Sequence, residues 1–141
     1  MLRRGSRMVR ISAMAAVAVL GMLSGAAGAQ SRNCSDPQNQ MEMNFCAKQD
    51  WQDQDARLNA EYKRAMTRAK AFDAEASAGL GGAAAALKTA QRAWIPFRDG
   101  NCAAEAFTMK GGSAEPLVYF GCMAAMTATR ADELAVWLDY Y

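Results

Sequence analysis

Histidine does not occur anywhere in the 141 residues. Its absence removes the side chain that most often serves as a general base, activates a nucleophile or ligates a metal. The four cysteines include no Cys-x-x-Cys pair, so neither a thiol-redox motif nor a zinc site of ordinary spacing can be built. No cofactor and no metal are expected. Neither sign of charge dominates: there are 16 basic and 14 acidic residues, and nothing beyond the first ten residues suggests the clustered basic face that a nucleic-acid-binding surface needs. Proline is limited to three residues, and no stretch alternates apolar and polar positions over a useful length, so strands are not expected. No apolar run reaches the ~20 residues that a membrane-spanning helix requires.

The one apolar run that stands out, Ile11 to Met22, follows the basic residues Arg3, Arg4, Arg7 and Arg10 and precedes Ala27-Gly28-Ala29. A basic head, a short apolar core and a small-residue cleavage signal together make a secretory leader. Residues 1–29 are therefore expected to be removed, leaving residues 30–141 as a single domain, too short for two cores. Cys34 does not follow the cut directly, being preceded by Ser31-Arg32-Asn33, which argues against a lipid-anchored terminus. The product is expected to be periplasmic or secreted, with no stable membrane anchor. Taking the four leader arginines from the 16 basic residues leaves 12 against 14 acidic ones, all of which follow the cut. The mature net charge is then −2, and the basicity of the whole chain belongs to the leader.

All-α architecture follows from the spacing of apolar residues. Asn39 and Glu42 form an Asn-x-x-Glu capping box. Met41, Phe45, Trp51, Leu58, Tyr62, Ala65, Ala69 and Phe72 then recur at helical steps and their sums, predicting one helix from about Gln40 to about Ala76. Gly79-Leu80-Gly81-Gly82 reverses the chain. Ala83 to Ala86 starts a second helix that should run to about Met109, with a kink at Pro96. Lys110-Gly111-Gly112 closes it. Ser113 is expected to cap a third helix that tolerates Pro116 in its first turn and carries Leu117, Phe120, Met123, Thr127, Leu134 and Trp137 or Leu138 on its stripe.

Three long helices joined by short glycine turns predict an up-down-up bundle, with a break in the third allowed for. An even number of cysteines in an exported chain points to two disulfides out of three possible connectivities. Cys102 and Cys122 each lie ten residues from Gly112, so a helical hairpin about that turn brings them level. Cys34 and Cys46 can pair if the segment before Asn39 runs back along the first two turns of the first helix.

Several polar residues fall on the apolar stripes: Asp55, Asn59 and Tyr62 on the first helix, Gln91, Arg98 and Glu105 with Trp94 on the second, Arg130 on the third. They could meet as one buried cluster, with Asp55 and Arg98 paired in bidentate fashion. Without histidine or a second paired carboxylate, this cluster reads as a structural pin that sets helix register rather than as a catalytic site. Ser113 lacks a base that would make it a nucleophile, and no lysine is placed as in a phosphate-binding loop. Glu42 with Asp50, Asp53 or Asp55 reads as surface charge on a solvated helix rather than a glycosidase pair. Met41, Met43, Met66, Met123 and Met126 read mainly as core rather than as a metal-binding surface. No catalytic residue is assigned.

The strings Glu42-Met43-Asn44-x-Cys46-Ala47, Asp55-x-x-Leu58-Asn59-x-x-Tyr62 and Ala90-Gln91-Arg92-Ala93-Trp94-Ile95-x-Phe97-Arg98-Asp99-x-x-Cys102 stand in one order with Cys34 before them. Gly111-Gly112-Ser113, Cys122 and Thr127-x-x-Arg130-x-x-Glu133-Leu134 follow. Together they resemble the LprI-type lysozyme-inhibitor domain, a family of small exported bacterial helical proteins. The chain departs from the lipoprotein that gives the family its name in having no lipidation cysteine at the cut, and Pro96 is unusual inside the central helix. The resemblance implies an exported binding protein rather than an enzyme, with a lysozyme as partner and no catalytic residues. The exposed turn Lys110, Gly111, Gly112, Ser113 and Glu115 is the expected contact, Lys110 and Ser113 acting as donors. The competing reading is a structural or stress-related envelope module that binds another envelope protein through an apolar patch near Phe72 and Leu80 or Tyr140 and Tyr141.

Overall fold

A computed structural model describes residues 33–137. The expected leader and its cleavage point lie outside the described residues, as do Leu138, Tyr140 and Tyr141. The described chain is three α-helices: α1 (Gln40–Glu75), α2 (Ala83–Ala106), followed by a 3-10 turn (Phe107–Met109), and α3 (Glu115–Ala135). No strand occurs among the described residues. Helix α2 passes through Pro96 without interruption, and α3 is unbroken.

The start of α1 is a reciprocal cap. The Asn39 side chain accepts from the Glu42 N–H at 3.0 Å, and the Glu42 carboxylate takes the Gln38 N–H at 2.8 Å and the Asn39 amide at 3.0 Å. The Glu42 N–H, which the first turn would leave unpaired, and the Gln38 N–H just ahead of the helix are satisfied in this way. The other end of α1 caps both remaining helices. Asp73 accepts from the N–H groups of Gly82, Ala83 and Ala84 at 2.8, 2.7 and 3.0 Å, supplying the carboxylate that Gly82, at the N-cap of α2, cannot. Arg68 donates to the carbonyls of Leu134, Ala135 and Trp137 at 2.7, 3.1 and 2.9 Å, where α3 ends. An anion thus meets the positive end of α2 and a cation the negative end of α3. Both contacts can form on one end of α1 only because α2 starts where α3 finishes, which makes the topology up-down-up.

The core lies along α1 in two parts. One joins Leu58, Ala65 and Ala69 to Leu87, Ala131 and Leu134. The other surrounds the disulfide Cys102–Cys122 with Met123, Trp51, Tyr119 and Met126, and Trp51 stacks on Phe120 at 5.6 Å. The second disulfide, Cys34–Cys46, ties the segment before α1 to its second turn. Met41 and Phe72, expected on the buried stripe, are 65% and 45% exposed. The reason is length: 36 residues make α1 ~54 Å long, against ~36 Å for the 24 residues of α2 and ~32 Å for the 21 of α3, so its ends outreach their cover.

Asp73 also makes the fold acid-sensitive. The backbone N–H groups of Ala84 and Gly82, with that of Ala83, hold its carboxyl below the ordinary value of 3.8 against a smaller opposing effect of desolvation. A depressed folded-state value means that the unfolded chain binds the proton more tightly. The contribution is therefore complete above 3.8 and is lost as pH falls through the lower folded value. Asp73→Asn should lower the thermal midpoint at neutral pH, and the gap to the native protein should shrink at about pH 2. A gap of equal size at both pH values would mean that the charge of Asp73 is irrelevant.

Candidate functional site

The stripe polar residues form two groups, not one. In the first, Arg98, buried to 6% exposure, spends its donors on three partners from three helices. Its Nε and Nη2 both reach Oδ1 of Asp99 at 2.9 Å. Its Nη1 donates to the Thr127 hydroxyl at 3.1 Å and stands 3.5 Å from Asp55. The guanidinium also covers the Trp94 ring at 5.1 Å. The fork expected for Asp55 thus falls on the neighbouring carboxylate, and Asp55 holds a single long contact; its other oxygen accepts from Asn59 at 3.0 Å. In the second group Arg130 donates to Gln91 at 3.1 Å and pairs with Glu133 at 2.7 Å. Tyr62 packs against the apolar core, and Glu105 is exposed on α2. A helix turn is 5.4 Å, so residues sharing a stripe over 14 positions of α2 cannot share one partner.

The turn between α2 and α3 is built more tightly than its glycines suggest. Gly111 has φ 77°, a conformation that side chains disfavour. Glu115 reaches back, accepting from the Gly111 N–H at 2.8 Å and pairing with Lys110 at 2.8 Å. Both contacts hold its carboxyl below the ordinary value, the Lys110 hydrogen bond most. Ser113 is not the cap of α3. Ala114 occupies that position without a side-chain bond, and the Ser113 carbonyl accepts the Asn44 amide from α1 at 2.9 Å. Ser113 stands one residue ahead of the cap position, and Glu115 satisfies a loop donor from the other side. The result is a fixed tip on which Lys110, Ser113, Phe107 and Met109 are exposed.

On the face away from α1, a groove runs between α2 and α3. Its lower hollow, about 430 Å³, is lined by Trp94, Phe97, Met126 and Thr129 among others. Its upper hollow, about 250 Å³, is lined by Ala86, Leu87, Ala90 and Trp137 among others. Arg130 and Glu133 border both. Sequence reading placed Trp94 and Arg130 in the polar cluster and did not find this groove, because the rest of its lining is mostly alanines and single apolar side chains that carry no chemistry by themselves. Among the described residues, no three His, Cys, Asp or Glu side chains are grouped to hold a metal ion, and no helix is long and apolar enough to cross a membrane.

Comparison with known proteins bears on this arrangement directly. The family model for "Lysozyme inhibitor LprI" matches residues 31–134, which takes in all three helices but the last residue of α3, with both disulfides, the Asp55–Arg98–Thr127 contact and the braced tip. The chain belongs to the LprI lysozyme-inhibitor family. An uncharacterized protein of Rhizobium meliloti (strain 1021) is 43% identical over 105 residues, 72% of this chain and 76% of that protein. No solved structure matches. Family membership places the four cysteines, the central helix string and the Gly111-Gly112-Ser113 turn within one matched span.

Proposed function

We propose that the protein is an exported, non-catalytic binder that inhibits a lysozyme through the tip between α2 and α3. Family membership supports the activity. The observation that carries the choice of surface is the bracing of the tip: Glu115 and the Asn44 amide hydrogen-bond to its backbone, and the Cys102–Cys122 disulfide ties together the two helices that carry it. A pre-formed projection loses little freedom on binding. A glycosidase cleft carries two carboxylates, and the tip offers it the Lys110 ammonium, with two of its three donors beyond the Glu115 contact, and the exposed Ser113 hydroxyl. Phe107, 69% exposed beside them, adds apolar contact.

The test is a dose-response of the purified protein against lysozymes of several classes. Inhibition is expected for at least one class, and Lys110→Glu should weaken it by about tenfold or more, since it places like charge against the carboxylates. No inhibition of any class at micromolar excess removes the reading. Undiminished inhibition by Lys110→Glu moves the contact away from the tip.

A further inference from the structure

We infer that the α2/α3 groove is where two copies of this protein join, in a two-fold pair with their α2 helices antiparallel. This goes beyond the inhibitory reading and uses a different face. The first ground is charge. The exposed side of α1 carries Lys48, Asp50, Asp53, Lys63, Arg64 and Lys70, as a solvated face does. Along α2 the exposed residues lining the groove are Ala86, Ala90 and Phe97, and the exposed Ala93, Asn101 and Ala104 follow on the same helical stripe, without a charge among the six. The groove's own charges, Arg130 and Glu133, are of opposite sign and already paired at 2.7 Å. Two copies can therefore meet there without like charges being brought together, and loss of charge around an exposed aromatic marks the centre of an interface.

The second ground is self-complementarity. Phe97 stands 61% exposed at the edge of the lower hollow, and about two to three turns away the upper hollow is open beside Ala90 and Ala86. In an antiparallel pair with its axis at the level of Ala93, Phe97 lies four residues to one side and Ala90 three to the other. Each Phe97 then falls opposite the other copy's upper hollow, within ~2 Å along the helix axis. A knob and a hole so placed about one level fit a second copy of the same surface, which is what an isologous contact requires. The area is also sufficient. A face ~36 Å long, from the 24 residues of α2, and ~20 Å wide, from two helices side by side, offers ~700 Å² per copy, close to the ~800 Å² of a standard interface.

Sedimentation velocity of the protein purified after export, from micromolar to several hundred micromolar, should show reversible dimerisation. Phe97→Glu should weaken it by about thirtyfold or more, while Phe107→Glu, at an equally exposed phenylalanine on the tip, should leave it unchanged. Ala93→Cys gives a readout independent of folding defects: a residue at the two-fold axis meets itself, so the variant should form a disulfide-linked dimer under mild oxidation, whereas Ser77→Cys should not. A monomer at every concentration overturns the inference. So does dimerisation that Phe107→Glu abolishes and Phe97→Glu spares, or an Ala93→Cys dimer that forms no faster than the Ser77→Cys one.

Discussion

Replacing Cys102 and Cys122 together by alanine should lower the free energy of unfolding by about 4 kcal/mol, measured by urea denaturation. About 3 kcal/mol of this is the loop-closure entropy of a 20-residue separation, and the rest follows from burial. Cys102 is fully buried and Cys122 nearly so, within the cluster of Trp51, Tyr119, Met123 and Met126. Two alanines there leave space that the surrounding rings and thioethers fill only in part. The Met126 sulfur, 3.4 Å from the Asn101 amide and 3.7 Å from the Cys102 sulfur, would lose its packing partner. Because the closed loop contains Lys110 to Glu115, the same change should loosen the tip and reduce inhibition of any lysozyme the native protein inhibits.

The companion change, Cys34 and Cys46 to alanine, is expected to cost much less, although chain entropy alone assigns a 12-residue separation nearly the same value. Cys34 is exposed and the segment before α1 packs on little besides the first turns of that helix. Once released, the segment gains freedom in the folded state as well as in the unfolded one, and the two gains cancel in part. A larger loss from this pair than from Cys102 and Cys122 would mean that the segment before Asn39 organises the bundle.

How much of this could be read from residues alone depended on range. The start of α1 at Gln40 and of α2 at Ala83, and the glycine reversal between them, were legible because capping and breaking are local chemistry. The pairing of cysteines was legible because equal distances from Gly112 turn into equal heights in a hairpin. Contacts made across the turns were not. Nothing near Gly82 announces that Asp73, nine residues earlier in the first helix, caps α2, and Arg68 looks like any surface arginine until α3 ends beside it. Ser113 failed as a cap for a related reason: the rule that favours serine there assumes an extended approach, and the approach here is a tight turn already stitched to α1 by Asn44. The polar cluster was legible in membership but not in partition, since helical spacing identifies a common face without saying how far along it a side chain reaches.

Arg98 provides the sharpest measure of what that cluster contributes. Arg98→Ala is expected to cost about 2 to 3 kcal/mol, below the ~3 to 5 typical of breaking a fully buried ion pair. Its two carboxylate partners, Asp55 and Asp99, have side chains 41% and 45% exposed, so water recovers much of what they lose. What water cannot recover is the contact with Thr127, which is completely buried and would keep a hydroxyl without its partner, and the cover that the guanidinium and its stem give to Trp94. Arg98→Met, which keeps the stem, should therefore restore about half of the loss, while Asp55→Asn should cost under about 1 kcal/mol, since it removes one contact at 3.5 Å on a half-exposed side chain. If Asp55→Asn proves as damaging as Arg98→Ala, the long contact is the dominant one and the pin works through charge, not through Thr127 and packing. The same variants separate structure from recognition. If the native protein inhibits a lysozyme as proposed, a folded Arg98→Met protein that does the same would leave the cluster as the element that sets the register of three helices, and one that folds but does not would place it in the binding surface.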